Sequence, residues 1–299
     1  MERLAGDPVQ LLTGLNPRIT EVERQRLRQY FGLDKPIYIQ YLYWLSELFA
    51  FNLGNSYAIG GGAPVSTLIA ERTWATLEIQ LLGLVLSLAI AIPIGVLSAR
   101  KRYTAVDVTV STSALVGTSI PIFFLGIVFI LVFGYYLHLF PSGGAKSTIP
   151  SQYFLGDQYL DQIWHLTLPT AVYTFALLAP VVLLVRSSML EVLRQDFILA
   201  ARASGLDENT IVYKHALKNA LIPIITYVGL YFGGLLAGAP VTETVFNWPG
   251  VGALFVTATT VLDFPVIQGI VVLITLMTLI ANLLTDITYA YIDPRIRLE

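Results

Sequence analysis

The chain has 299 residues, of which 55% are hydrophobic and 13% charged, about half the charged share of a soluble domain. It contains no cysteine, which excludes disulfide scaffolds, cysteine-held zinc, iron–sulfur clusters and thiol nucleophiles. A net charge of −2 leaves no electrostatic footprint for nucleic acid, and the composition is that of a membrane protein.

Residues 1–72 are the part with soluble character. Thr20-Glu21-Val22-Glu23 has the capping-box pattern that opens a charged helix running to about Phe31, and Gly32 ends it. Pro36 to Phe49 follows, rich in Tyr38, Tyr41, Tyr43 and Trp44, and reads as an interfacial helix or one packed on a bundle.

Beyond it the uncharged runs decide the architecture, since a bilayer takes about 20 helical residues to cross. Runs at 48–70, 79–99, 108–145, 162–185, 219–242, 244–262 and 264–285 are long enough. The first carries Asn52, Asn55, Ser56 and Gly60-Gly61-Gly62. The sixth carries Asn247-Trp248-Pro249-Gly250 and several threonines. Both would leave backbone groups unpaired in lipid, so the sixth reads as a loop or a partly inserted half-helix. The prediction is an all-α polytopic membrane bundle of five spanning helices, at about 76–99, 108–137, 163–186, 219–242 and 264–290, preceded by a small region of interfacial helices at 1–72.

Orientation follows from Lys and Arg. Arg100, Lys101, Arg102, Arg186, Arg194, Arg202, Lys214, Lys218, Arg295 and Arg297 fall on one side, and the loops opposite hold only Lys146. This places 99–107, 186–219 and the C-terminus in the cytoplasm and residues 1–72 outside. Met1-Glu2-Arg3 begins no apolar stretch that could export them, so a further span is expected upstream.

Pro93, Pro121, Pro180 and Pro223 fall in or beside spans, where kinks are expected. The residues leave two readings open: kinks that serve packing, and a pathway beside Ser119-Ile120-Pro121, where Gly117-Thr118 adds small polar groups. Segment 187–218 is the most informative. From Ser187, apolar Met189, Leu190, Leu193, Phe197, Ala200 and Ala201 recur at helical spacing on one face. Gly205 suits a left-handed C′ position, and Asp207 can cap a second helix with Glu208 in its first turn. The expectation is helix, glycine turn, helix.

Other chemistry is weakly supported. Gly143-Gly144-Ala145-Lys146-Ser147-Thr148 approaches a phosphate-binding loop, but Ala145 stands where glycine is needed and no buried strand precedes it. His138, His165 and His215 lie in different loops with no metal-binding spacing, and Ser142 lacks a nucleophile-elbow context. Asp286, with Asn282 one turn earlier, reads as a structural ion pair near the cytoplasmic end of the last span.

Ala200-Ala201-Arg202-Ala203-Ser204-Gly205 resembles the signature loop of ABC-transporter permeases, with Leu199 where that pattern has Glu. His215-Ala216-Leu217-Lys218-Asn219-Ala220-Leu221-Ile222-Pro223 resembles the continuation found in the dipeptide/oligopeptide/nickel branch. So do Gly32-Leu33-Asp34-Lys35-Pro36, Ser119-Ile120-Pro121 with Phe123, Glu243-Thr244-Val245-Phe246-Asn247-Trp248-Pro249-Gly250, Asp263-Phe264-Pro265 and Asp293-Pro294-Arg295. Arg3-Leu4-Ala5-Gly6-Asp7-Pro8 is similar to the stretch that ends the branch's first of six helices, which this chain would then lack.

The resemblance implies a permease subunit of an ATP-driven importer for short peptides, or for oligosaccharides or nickel, and no enzyme. It implies a homologous second permease subunit, two ABC ATPase subunits that bind ATP and Mg, an extracytoplasmic solute-binding protein, and surrounding lipid. Ala200, Ala201, Arg202, Gly205, Asp207, His215 and Lys218 would form the ATPase-coupling loop, and Ser119, Pro121 and Phe123 would line the pathway. The competing class, an ion-coupled secondary transporter, would need repeats and midplane acids; none is evident in the sequence.

Overall fold

A computed structural model describes residues 34–292 together with Val9, Thr20, Val22 and Gln25; the side chains of residue 286 and of 288–292 lie outside that description. The predicted charged helix ending near Phe31, Arg3–Pro8, Asp293-Pro294-Arg295 and the Asp286 side chain with its expected ion pair fall largely or wholly outside it. Among the described residues every regular element is helical.

The elements are α1 (Ile37–Phe49), α2 (Val65–Arg100), α3 (Ala105–Ser119) and α4 (Ile122–Phe129), which passes into a π-helical segment Ile130–Tyr136. Then come α5 (Gln158–Val192), α6 (Asp196–Ala203), a second π segment (Thr210–Ala216), α7 (Leu217–Ala220) and α8 (Ile222–Gly234). The series closes with α9 (Pro240–Val245), α10 (Val251–Thr260) and α11 (Phe264–Ile292).

Among the described residues four stretches are long and apolar enough to cross a membrane: Val65–Arg100, Gln158–Val192, Thr210–Ala237 and Phe264–Thr285. A fifth crossing exists if α3 and the stretch Ile122–Tyr136 count as one, but they meet at 96°. The span expected over 108–137, with a kink at Pro121, is broken at that proline. Ile120 and Pro121 are both extended there (ψ 120° and 133°), because proline disfavours helical geometry in the residue before it and lacks an N–H for the ladder. The other prolines do not break their helices. Pro93 and Pro180 lie within continuous α2 and α5, and Pro223 stands in the first turn of α8, where a missing N–H costs nothing.

Two compact units emerge: residues 1–72 with 254–273, and residues 73–253 with 274–299. In the first, α1 has no buried residue; Tyr38, Tyr41 and Tyr43 are exposed, the behaviour of an aromatic helix made for an interface. The same unit holds one anchored loop. Asp263, fully buried, accepts hydrogen bonds from Ser56 Oγ (2.5 Å) and from the amides of Tyr57 (3.1 Å), Ala58 (2.9 Å) and Ile59 (3.1 Å).

Burial pushes the Asp263 carboxyl upward, but these donors outweigh it and hold the group below its ordinary range. A carboxyl whose native pKa is depressed stabilises the fold fully above its unfolded value of about 4 and loses that contribution as pH falls through the native value. Protection factors of the Tyr57, Ala58 and Ile59 amides should therefore stay high near neutrality and drop in acid. Asp263→Asn should make them low and insensitive to pH, and equal protection in the variant would contradict the anchor.

The second unit carries the main core. Ala91, Val96, Val181, Val185, Met189, Ile198, Ile211 and Ala216 pack together with Ala220 and Ile224. Helix α5 is its spine and begins where Asp157 caps it, accepting from the amides of Tyr159 (2.7 Å) and Leu160 (3.0 Å). Helix α8 meets the second half of α11 through Gly229 and Gly233, where an added Cβ would sit 2.4 Å from Thr285 Oγ1 and 3.2 Å from the Thr278 Cα. Small residues four apart let helix backbones approach, the usual route to tight packing in lipid.

Candidate functional site

The segment between the spans α5 and Thr210–Ala237 is the first candidate. Helix α5 continues past the expected exit at 186 to Val192, and the chain turns through Leu193, Arg194 and extended Gln195 into α6. Asp196 occupies the first turn of α6 and Arg202 the last, each matched to the helix dipole. Gly205 follows at φ +77°, its amide on Arg202 O and that of Leu206 on Ala201 O. An added Cβ there would touch nothing, so glycine is required by the backbone angle and not by space.

Asp207 then accepts from the Thr210 amide at 3.0 Å and Thr210 Oγ1 at 3.3 Å, opening the second arm. The Thr210 amide and the neighbouring Asn209 amide hold the Asp207 carboxyl below its ordinary range. The expected helix, glycine turn and capped second arm all appear.

Two features differ from the sequence reading. The single helix expected from Ser187 to Ala203 is broken at 193–195, since Arg194-Gln195-Asp196 offers nothing apolar to bury. That break splits the expected apolar face. Met189 is buried and Leu190, Leu193 and Ala201 pack against the core, while Phe197 and Ala200 are exposed, along with Leu199, Leu206 and Tyr213. The hairpin thus presents an outward apolar tip of its own.

Its two arms are also clamped by Arg202, which donates to Glu208 through Nη2 (2.7 Å) and Nε (3.2 Å) across the glycine turn. Both side chains are exposed, so this fork fixes geometry and contributes at most about 1 kcal/mol. His215 and Lys218 lie farther along the second arm, about two and three turns beyond Asp207, one half-buried and the other exposed. They do not join Ala200, Ala201, Arg202, Gly205 and Asp207 at the tip.

Behind the hairpin sits an ion pair that sequence reasoning missed. Arg186 donates to Asp107 through Nε (2.6 Å) and Nη2 (2.9 Å). Ser98 Oγ (2.6 Å) and the Tyr103 amide (3.0 Å) donate to the same carboxylate. One buried acid thereby joins α2, α3, the loop between them and α5. A signal existed: Asp107 is the one acid between Glu78 and Asp157. Ser188 Oγ adds a tie to Ala220 O at 2.8 Å, joining α5 to α7.

The pathway candidates lie at the break of the second span. Ser119, Pro121 and Phe123 are all exposed on this chain. The Ser119 and Thr118 hydroxyls, however, return to Leu115 O at 3.0 and 2.8 Å. What this stretch presents is the bend and its aromatic side chains, with its hydroxyls already engaged.

The sixth uncharged run proves to be short helices, α9 and α10, separated by Asn247-Trp248-Pro249-Gly250. Glu243 on α9 is fully buried. It accepts from Thr76 Oγ1 (2.9 Å) and the amides of Ala239 (2.9 Å) and Ala253 (2.8 Å), and the buried Trp248 indole donates to Ala75 O at 2.8 Å. One turn inward, Tyr231 donates to Tyr173 (2.8 Å), Tyr173 donates to Gln80 Oε1 (3.2 Å), and Gln80 Nε2 donates to Leu235 O (2.6 Å). In the stretch resembling a phosphate-binding loop, the Ser147 amide and hydroxyl both donate to Asp161 (2.6 and 3.0 Å).

A family model described as a binding-protein-dependent transport system inner membrane component matches residues 91–298. The chain is 39% identical to the oligopeptide transport system permease protein AppB of Bacillus subtilis, over 99% of this chain and 91% of that one. It is 40% identical to the probable D,D-dipeptide transport system permease protein DdpB of Escherichia coli, over 98% and 89%. Its dipeptide transport system permease protein DppB is 37% identical, over 98% and 91%. Among solved structures, the inward-facing MetNI methionine ABC transporter shares the fold, with a TM-score of 0.55 over 74% of this chain and 96% of that one at 19% identity.

Proposed function

The chain belongs to the family of binding-protein-dependent transport system inner membrane components, and from that membership we propose that it forms the membrane pathway of an ATP-driven importer for short peptides. The peptide class rests on what the relatives are named for. The observation that carries the mechanism is the helix–glycine–helix hairpin between two spans, with its exposed tip of Phe197, Leu199 and Leu206.

In this reading the hairpin faces the cytoplasm, as does the C-terminus, supported by the basic residues clustered on that side. ATP and Mg are bound by two separate ATPase subunits, and this chain contributes no catalytic group. A homologous second permease completes the pathway along the exposed bend at Ser119, Pro121 and Phe123, and an extracytoplasmic binding protein delivers the peptide. ATPase movement reaches the bundle through Ala200–Gly205, whose small residues allow close docking, with Asp207 fixing the direction of the second arm. His215 and Lys218 flank the return to the membrane.

The test is uptake of a labelled dipeptide into vesicles containing the assembled transporter. Uptake that requires ATP and the ATPase subunits and persists with a proton uncoupler is expected; uptake that collapses with the uncoupler would point to an ion-coupled carrier. A variant sharpens the test. Gly205→Val forces a β-branched residue to φ +77°, at a cost of roughly 1–2 kcal/mol. The hairpin is exposed, so insertion and assembly should survive while uptake falls about tenfold or more, the factor that ~1.4 kcal/mol represents. Full uptake by Gly205→Val would show that the turn does not couple.

A further inference from the structure

We propose that a basic pocket behind the hairpin binds a phosphate group, presented by the headgroup of an acidic phospholipid. The pocket has a volume of about 230 Å³ and gathers four arginines, Arg100, Arg102, Arg194 and Arg202, around one acid, Glu208. They come from the end of α2, the loop after it, the turn after α5 and the hairpin, with Leu190, Leu193 and Val212 as an apolar floor.

The charges do not cancel. Glu208 is already taken by Arg202; its carboxyl is held low first by those hydrogen bonds and then by the charges of Arg202 and Arg100, and the charge of Arg100 acts on Asp207 as well. Arg102 is engaged with Tyr103, its guanidinium 4.1 Å from the ring centroid and hydrogen-bonded to the hydroxyl. Arg100 and Arg194 remain, exposed and without an ion pair or side-chain hydrogen bond among the described residues.

Two guanidiniums without a hydrogen-bonded partner, reaching one pocket from different elements, suit a tetrahedral group with several acceptor oxygens better than a planar carboxylate held by a single fork. Position favours a lipid as the source. The pocket lies between the end of α2 at Arg100 and the end of α5 at Val192, on the basic side of the bundle and about 9 Å beyond the expected span end at 186, the depth at which headgroup phosphates replace hydrocarbon. Its apolar floor can take the glycerol and first methylenes of a lipid, which a free phosphate would leave bare. A lipid held here would tie the end of α2 to the turn after α5 beside the hairpin. The binding itself does not depend on what the transporter carries.

The test is native mass spectrometry of the full chain, with the subunits that co-purify, after exchange into phosphatidylcholine, phosphatidylglycerol or inorganic phosphate alone. Wild type is expected to retain phosphatidylglycerol in preference to phosphatidylcholine. The double variant Arg100→Gln/Arg194→Gln should retain about tenfold less, while Arg100→Lys/Arg194→Lys keeps charge and most of the binding. Circular dichroism and elution volume confirm that each variant is folded.

Equal retention of both lipids, or unchanged retention in the folded Gln variant, would overturn the proposal. The latter is also expected if an acidic side chain of another subunit fills the pocket. Binding of inorganic phosphate without selective retention of phosphatidylglycerol would overturn the lipid assignment.

Discussion

Asp107→Ala is expected to destabilise the protein by about 3–5 kcal/mol, because it leaves Arg186 charged and largely enclosed with no counter-ion. Asp107 is 3% exposed and holds five donors: two nitrogens of Arg186, Ser98 Oγ, the Tyr103 amide and, at 3.4 Å, Ser111 Oγ. Removing the carboxylate takes away their shared acceptor, and α2, α3, the loop between them and α5 lose their common point at the basic end of the core.

The companion experiment separates geometry from charge. A buried pair replaced by apolar groups of similar volume is often nearly neutral, whereas a single removal is costly. Asp107→Leu/Arg186→Met should therefore recover most of the loss seen in either single variant. The measurement is the apparent melting temperature of purified protein in detergent, read for all four members of the cycle. Single variants that melt with wild type would show the pair to be incidental.

Much of this fold was legible because membrane spans are encoded locally. Charge-free runs and turn residues set the number of crossings, and Gly205 with Asp207 set the hairpin, since a left-handed turn and an N-cap each act within a few residues. The misreadings have physical causes too. A kink was expected at Pro121, but a count of uncharged residues cannot see that Ile120-Pro121 turns the chain through as much as 96°. Periodicity grouped Phe197 with Met189, because it is blind to a break at 193–195.

The missed residues form a coherent class. Arg186 was read only as a topological charge, and Glu243 only as the first letter of a motif. Their partners lie 79 and 167 residues away. Gln80, Tyr173 and Tyr231 are likewise drawn together from three separate helices. A polar residue inside an apolar run announces that it needs a partner, but not which one, since that depends on how the helices pack.

Glu243 carries the second large effect. Its Oε1 accepts from Thr76 Oγ1 and the Ala239 amide, its Oε2 accepts from the Ala253 amide, and Thr76 Oγ1 in turn accepts from the Val251 amide at 2.7 Å. The acid therefore holds the start of α9, the start of α10 and a turn of α2 around one buried point. An added Cβ at Gly250 would land 2.3 Å from the carboxylate, so the backbone has closed tightly around it.

Glu243→Ala strands three donors, each costing about 1–3 kcal/mol when left unpaired and buried, so a total loss above about 3 kcal/mol is expected. Glu243→Gln keeps the shape and the acceptor oxygen for Thr76 and Ala239 but turns an N–H toward the Ala253 amide, which should cost about 1–3 kcal/mol. The order wild type, Gln, Ala should appear in melting temperature and in protease resistance of the stretch around Asn247-Trp248. Dipeptide uptake should fall in the same order if α9 and α10 must be fixed for the pathway to form. A Gln variant as damaging as Ala would mean that the negative charge itself is required, and an Ala variant as stable as wild type would remove Glu243 from the architecture of this segment.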